Sequence, residues 1–293
     1  MKKFLVLILL FLQAFYLGAA TKSFSFLRDG VGADILAIGS AGTASATGVN
    51  ATYWNPAGVS RMSTYMGQLS SMYVIQKFDR HYTYLGAAFH TEDIGNFGIN
   101  FSNYGVENIE ILDELGMPQG KESDEEYSLG LTYSNIMTYQ LRYGITLKGN
   151  YQDLVGYKAL GYSVDIGVQF QPLLDQELYF GIMLQNIIGA LYWDKSGEDM
   201  LSIYKAGVSL GLWEDTVKLV FDVVKEENYT AVIYRGGVEF KMFEYFFLRG
   251  GVNEKYPVAG LGIKYEGYKL DYAFIYDKYE LGDDHVISLE FMW

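Results

Sequence analysis

The chain offers little chemistry of the catalytic kind. Its 293 residues include three histidines, His81, His90 and His285, and no cysteine. Thiol enzymes, disulfide scaffolds and zinc modules all need more sulfur or clustered imidazole than this. The histidines are scattered, and no activated nucleophile or serine–acid pair accompanies them, so neither a catalytic residue nor a metal site is expected. His81 lies near the start of the chain's patterned body and His285 near its end, so the two can approach each other if the first and last segments pair. Gly260-x-Gly262 lies inside an alternating apolar run and lacks the strand–turn–helix setting of a nucleotide site. Net charge is −13, from 35 acidic and 22 basic residues, the wrong sign for a nucleic-acid binder. The acidic run 122–126 reads as a solvated loop. No cofactor is implied.

Two other groups of residues remain to be accounted for. The first is Asn55-Pro56-Ala57-Gly58, preceded by Tyr53 and Trp54. Proline drives Asn55 out of the helical region, and Asn-Pro with a following glycine suits a turn. The turn leads into the first strand, and it can also pin or gate a plug. The Asn55 amide can satisfy buried backbone groups, so anchoring is its expected role, with Tyr53 and Trp54 packed on the surrounding wall. The second group is a set of charges on one face of successive strands, among them Arg142, Lys148, Asp165, Lys205, Asp222, Arg235, Arg249, Lys269, Asp271 and Glu290. Their signs are mixed, which favours cross-strand ion pairs in a filled lumen over a selectivity ring.

What must position these residues is all-β. Charged residues are 19 % of the chain, against about 25 % in soluble domains, and aromatics are 16 %. From residue 63 onward the sequence alternates. Leu141, Tyr143, Ile145, Leu147 and Tyr151 share one face; Arg142, Thr146, Lys148, Asn150 and Gln152 share the other. Period-two alternation means strands with one apolar and one polar side. Turn signals divide the body into 64–75, 81–91, 95–111, 123–134, 139–152, 158–171, 177–187, 202–213, 216–225, 230–241, 245–252, 258–266, 268–278 and 285–293. Gly105 offers a break that would split the third. Segments of about 10 residues, aromatics at their ends and an even count near 14 describe a transmembrane antiparallel β-barrel rather than a soluble sandwich. The lipid face should therefore meet outer-membrane lipid. Phe291 and Trp293 end the chain as an aromatic signature of the kind read by the insertion machinery.

The first 62 residues are different. Lys2, Lys3, an apolar run to Tyr16 and the small residues Gly18, Ala19 and Ala20 make residues 1–20 a secretory signal, which sends the chain to the bacterial outer membrane. Residues 21–62 are small, apolar and without strand pattern, too long for a structureless loop, and read as a plug in the lumen of a barrel spanning 63–293.

The run Gly39-Ser40-Ala41-Gly42-Thr43-Ala44, followed by Asn50-Ala51-Thr52-Tyr53-Trp54-Asn55-Pro56-Ala57-Gly58, resembles the N-terminal hatch of FadL-type outer-membrane proteins, and more specifically their PorV/PorQ branch. The resemblance covers roughly residues 30–60. It implies a 14-stranded barrel with a luminal plug. FadL-type proteins pass hydrophobic molecules across the outer membrane, often through a lateral gap in the wall. PorV is a non-enzymatic accessory of type IX secretion that binds the translocon. The ligand is then a small hydrophobic compound, or the partner a secretion translocon. The external loops here are shorter than those in which FadL gathers its ligand. A lateral gap, if built, belongs at Gly95 and Gly98, where glycines weaken a strand, with Phe97, Ile99 and Phe101 lining its lipid side. The same glycines can instead relieve crowding against the plug. A blocked lumen with an exposed aromatic tip at Leu191-Tyr192-Trp193 would favour the secretion role.

Overall fold

The structure is a computed structural model that describes residues 29–62, 65–194, 196–227, 229–276 and 282–293. The expected signal at 1–20, and the stretch 21–28 of the expected plug, lie outside the described residues. No helix among the described residues is long and apolar enough to cross a membrane.

The strands are β1 (Gly67–Ile75), β2 (Arg80–Thr91), β3 (Gly95–Leu112), β4 (Pro118–Thr138), β5 (Leu141–Leu154), β6 (Tyr157–Phe170), β7 (Leu178–Trp193), β8 (Ser196–Asp199), β9 (Ile203–Leu212), β10 (Val217–Glu226), β11 (Ile233–Met242), β12 (Phe246–Asn253), β13 (Tyr256–Tyr265), β14 (Tyr268–Ile275) and β15 (Asp284–Met292). Each pairs antiparallel with the next, and β1 pairs with β15, so the sheet closes. The short β8 pairs only with β7, and β7 continues the ring through β9. Fourteen strands therefore form the wall, in agreement with the alternation.

The seam shows why closure is stable. The register Gln68↔Met292 to Ile75↔His285 pairs β1 with β15 over their full length. Trp293 extends the ladder: its carbonyl accepts from Met66 N at 2.8 Å and from Gly67 N at 3.2 Å, and its amide donates to Gly67 O at 3.1 Å. Its indole stacks on Phe291 at 5.5 Å and meets Phe89 edge-on at 6.2 Å. The seam rim thus carries an aromatic cluster of the kind found at membrane interfaces.

Side chains sort by parity. Leu69, Leu85, Ile99, Leu131, Leu147, Leu261 and Leu289 point outward and are exposed, whereas Ser70, Asn100, Thr132, Lys148, Asp165 and Asp271 point inward and are buried. Such an inverted pattern is what lipid outside and a filled lumen inside demand.

Two expectations need correction. The acidic run 122–126 is strand, not loop. The β3–β4 hairpin has 18 and 21 residues per arm, about twice the length that spans a membrane, so its outer half stands clear of the bilayer. Asp113 closes its tip by accepting from Leu115 N at 2.9 Å and Met117 N at 2.8 Å, and the Met117 amide holds its carboxyl below the ordinary value. Gly105 does not divide β3, which stays continuous past it with a bulge between Val106 and Ile109.

Leu147 lies at the middle of β5 and is 55 % exposed on the outward face. Leu147→Arg should therefore destabilise the barrel by about 2–4 kcal/mol in lipid vesicles. Urea unfolding measures this, and an unchanged midpoint would place Leu147 away from lipid.

Candidate functional site

The lumen is occupied by residues 29–62, folded into short helical turns: α1 (Ala33–Leu36), α2 (Ala51–Trp54), and 3-10 turns at Gly48–Asn50 and Pro56–Arg61. Small residues and glycines leave no long apolar stripe here, so no longer helix forms. Gly39 ends the α1 turn with φ +77°, a conformation open to glycine, and a Cβ there would lie 2.6 Å from the Val252 carbonyl of β12. Trp54 is the centre of the plug. It is 1 % exposed, meets Tyr53 edge-on at 5.1 Å, and donates from Nε1 to Val31 O at 2.7 Å. Cβ atoms at Gly30 and Gly42 would collide with its ring. Trp54 packs mainly within the plug, and it meets the wall where Lys205 Nζ of β9 lies 5.4 Å from its ring.

The plug is seated by backbone contact and by a few polar side chains. Asn55 caps the Pro56–Arg61 turn, its Oδ1 accepting from Ala57 N at 3.2 Å. Its Nδ2 donates to Thr43 O at 2.7 Å and faces Val168 O and Ile182 O of β6 and β7 at 3.2 and 3.3 Å. Pro56 and Ala57 lie against Gly144 of β5, where a side chain would have no room. Gly58 lies against the Ala46 carbonyl. Opposite, a Cβ at Gly237 of β11 would fall 2.6 Å from the Ile38 carbonyl. Thr43 donates to Asp222 Oδ2 from its amide at 2.9 Å and from its hydroxyl at 2.7 Å. Ser134 Oγ donates to Ala57 O at 3.1 Å.

A charge network ties α1 to the other side of the wall. Lys269 Nζ lies 2.5 Å from Asp34 Oδ2, 3.2 Å from Asp271 and 3.8 Å from Glu290. Arg249 joins Asp271 at 2.5 Å and Glu239 at 2.6 Å, and Lys218 joins Glu239 at 3.1 Å. Asn50 Nδ2 donates to Glu290 at 2.6 Å. Burial would raise the Asp34 carboxyl, but the Lys269 ammonium outweighs it and holds Asp34 below its ordinary value. Arg61, over the Tyr179 ring at 3.5 Å, has its guanidinium lowered by burial.

Two vestibules flank the plug. The rim carrying the protruding β3–β4 and β7–β8 hairpins is the external one. On that side a cavity of about 470 Å³ has an apolar patch of Leu36, Val74, Tyr82, Tyr104, Ile233 and Val286 and a polar part that carries Asp29, Arg80, Glu226, Arg235, Glu254 and Asp284. On the periplasmic side a cavity of about 250 Å³ is lined mainly by polar and charged groups, including Asp34, Asn50, Arg61, Lys218, Glu239, Lys264 and Lys269. α1 stands between them.

The residues expected to border a lateral gap are placed as follows. Phe97, Ile99 and Phe101 are outward, where Phe97 and Ile99 are exposed. Gly98 faces inward, and a Cβ there would meet Thr52 of the plug at 2.5 Å. Gly95 begins β3 with φ +115° beside the Ser134 carbonyl. The ladders β2–β3 and β3–β4 are unbroken from 95 to 106, so this stretch of wall is closed. Thr146, on the polar face of its strand, is fully buried and hydrogen-bonded to Thr132 at 2.8 Å. Leu191-Tyr192-Trp193 is the end of β7 rather than a loop tip, with Leu191 buried inward. His81 and His285 both neighbour Ile75 in register but lie on opposite sides of it. The glycine seat was missed in the sequence, although inward parity at Gly144, Gly167, Gly181 and Gly207 on successive wall strands was the available signal.

No protein-family model and no curated protein matches the chain. Among solved structures it is similar to the Pseudomonas putida toluene transporter TodX, at 12 % identity and TM-score 0.67, over 90 % of this chain and 98 % of that one. It is likewise similar to the Ralstonia pickettii toluene transporter TbuX, at 12 % identity and TM-score 0.65, over 92 % and 100 %. A Pseudomonas aeruginosa FadL homologue matches at 10 % identity and TM-score 0.53, over 85 % and 95 %. The chain has the fold of a FadL-type outer-membrane barrel.

Because the Asp34 carboxyl is held below its ordinary value of 3.8, the stabilisation it supplies is complete above that pH and lost as pH falls further. Single-channel conductance in planar bilayers should rise on acidification through this range. Asp34→Asn should show the raised conductance already at pH 7, and equal conductance of the two proteins would place the latch elsewhere.

Proposed function

We propose that the chain is a non-enzymatic passage for small hydrophobic compounds across the outer membrane, gated by its plug. The external vestibule carries this reading. Its volume of about 470 Å³ falls in the range of small-ligand sites, and its aromatic and aliphatic patch, set beside charged groups of both signs, suits a compact solute with an apolar body and a polar end. The likeness of the fold to structures described as toluene transporters supports the same class of cargo. The charged periplasmic vestibule would repel such a solute while the plug is seated, so passage requires the plug to shift.

The absence of cysteine from the sequence makes this testable by a disulfide lock. A Cβ at Gly207 of β9 would lie 3.1 Å from Thr43 Cβ, a little inside the usual disulfide spacing of about 3.5–4.5 Å, and Asp222→Ala in the same protein clears the carboxylate that fills this space. Thr43→Cys with Gly207→Cys should abolish uptake of a hydrophobic dye into proteoliposomes when oxidised and restore it on reduction. Uptake that persists in the locked protein would mean a route that bypasses the plug, as a lateral exit at residues 95–105 would be. No uptake by the wild-type protein in any state would overturn the transport reading. The PorV-like alternative, which rests on the Gly39–Gly58 motif, would then be tested by co-purification with a secretion translocon.

A further inference from the structure

His81, Asn103, Glu107 and Glu125 converge over Gly105 on the outward face, at the external end of β2 and at the level where β3 and β4 run on beyond it. The register explains the convergence. His81 pairs with Gly105 from one side and Glu125 pairs with it from the other. Residues two strands apart are about 9–10 Å apart along the sheet, and a side chain normally stands between them. Gly105 leaves that space open: a Cβ there would lie 2.7 Å from Glu125 Oε1 and would collide with the His81 ring. His81 Nε2 therefore comes within 3.6 Å of Glu125 Oε2. Asn103 orders the pair. Its Nδ2 donates to Glu125 Oε2 at 2.9 Å, and its Oδ1 lies 3.1 Å from His81 Nε2. The β3 bulge turns the Glu107 amide away from β4, and it donates instead to Asp79 O at 2.9 Å. One ligand atom each from His81, Glu107 and Glu125 lies within 4.8 Å of the other two.

We propose that these three side chains form a binding site for a divalent transition-metal ion, with Zn²⁺ as the fitting member of the class. An imidazole nitrogen beside two carboxylate oxygens is a borderline donor set, whereas Ca²⁺ and Mg²⁺ take oxygen ligands and would leave His81 unused. A tetrahedral ion with bonds of about 2.1 Å places its ligand atoms about 3.4 Å apart. The His81–Glu125 separation already matches that spacing, and the exposed Glu107 closes it by side-chain rotation. The fourth position is left to water or to a lipid phosphate oxygen. Alternation puts Tyr82 and Tyr104, which line the external vestibule, one residue away on the inner side of the same wall. The ion would thus staple the strands that carry the vestibule's aromatic lining.

The test is Zn²⁺ titration calorimetry on the full-length protein in detergent, with any affinity tag removed, backed by visible absorption of the Co²⁺ form. One saturable ion per barrel is expected. His81→Ala should weaken binding at least tenfold. Gly105→Ala should do the same although it keeps every donor, while heat-modifiable gel migration confirms folding in both. His285→Ala should change nothing. Equal Zn²⁺ binding by wild type, His81→Ala and a Glu107→Gln/Glu125→Gln double variant would overturn the proposal. So would Ca²⁺ binding as tightly as Zn²⁺ and independently of His81.

Discussion

A ring of fourteen strands encloses more space than its own inward side chains can fill, and the rest of this structure follows from how that space is filled. Here it is filled by backbone. The plug chain runs so close to the wall that glycines on successive strands meet it where any side chain would collide: Gly144 against Pro56, Gly181 against Thr43, Gly237 against Ile38. Close packing of this kind transmits displacement rather than absorbing it, because interiors have few voids to take up a shift. A plug held this way has no room for partial loosening at one contact. It sits or it moves as a body, and the two vestibules are separate or joined accordingly.

The polar groups of the lumen set where the plug sits more than how stable it is. Buried ion pairs return little net stability once desolvation is counted, yet losing one partner leaves a charge stranded. Asp34, Lys269, Asp271, Arg249 and Glu239 form a chain in which each charge meets an opposite one, spanning α1, β14, β12 and β11. On the other side Lys148 and Asp165 pair at 2.8 Å, and Thr43 is bound by Asp222. The plug is therefore clamped electrostatically on one flank and by amide and hydroxyl hydrogen bonds on the other. Each flank rests on a carboxylate, Asp34 of the plug on the first and Asp222 of the wall on the second.

Much of the wall was legible in the sequence because a strand between lipid and a filled lumen has no freedom in which face is apolar. Strand number, closure and the inward position of Arg142, Lys148, Asp165 and Asp271 all follow from period two. What parity cannot give is depth. Thr146 and Lys148 read alike as inward and polar, but Thr146 is pressed against the plug. Nor does parity mark where a strand leaves the bilayer, which is why 122–126 read as loop: its charges are compatible with a strand only outside the membrane. The plug was the least legible part. Its small residues signal that something packs closely, but Gly98 meets Thr52 from a wall strand, and Asn55 reaches Val168 and Ile182, more than a hundred residues away.

Alternation also ties the outside of the barrel to the inside. In β2, His81 faces outward and Tyr82 faces the external vestibule. In β3, Asn103 and Gly105 face outward on either side of the inward Tyr104. Tyr82 and Tyr104 meet edge-on at 6.4 Å across that pair of strands. A strand cannot rotate one face without the other, so whatever fixes the spacing of His81 and Glu125 over Gly105 also fixes the spacing of the tyrosines behind them. The vestibule's shape is then set at its outer rim by polar contacts on the outward face and at its floor by the seated plug. Two independent constraints acting on one cavity would let the barrel admit a solute at the rim without unseating the plug, and unseat the plug without widening the rim.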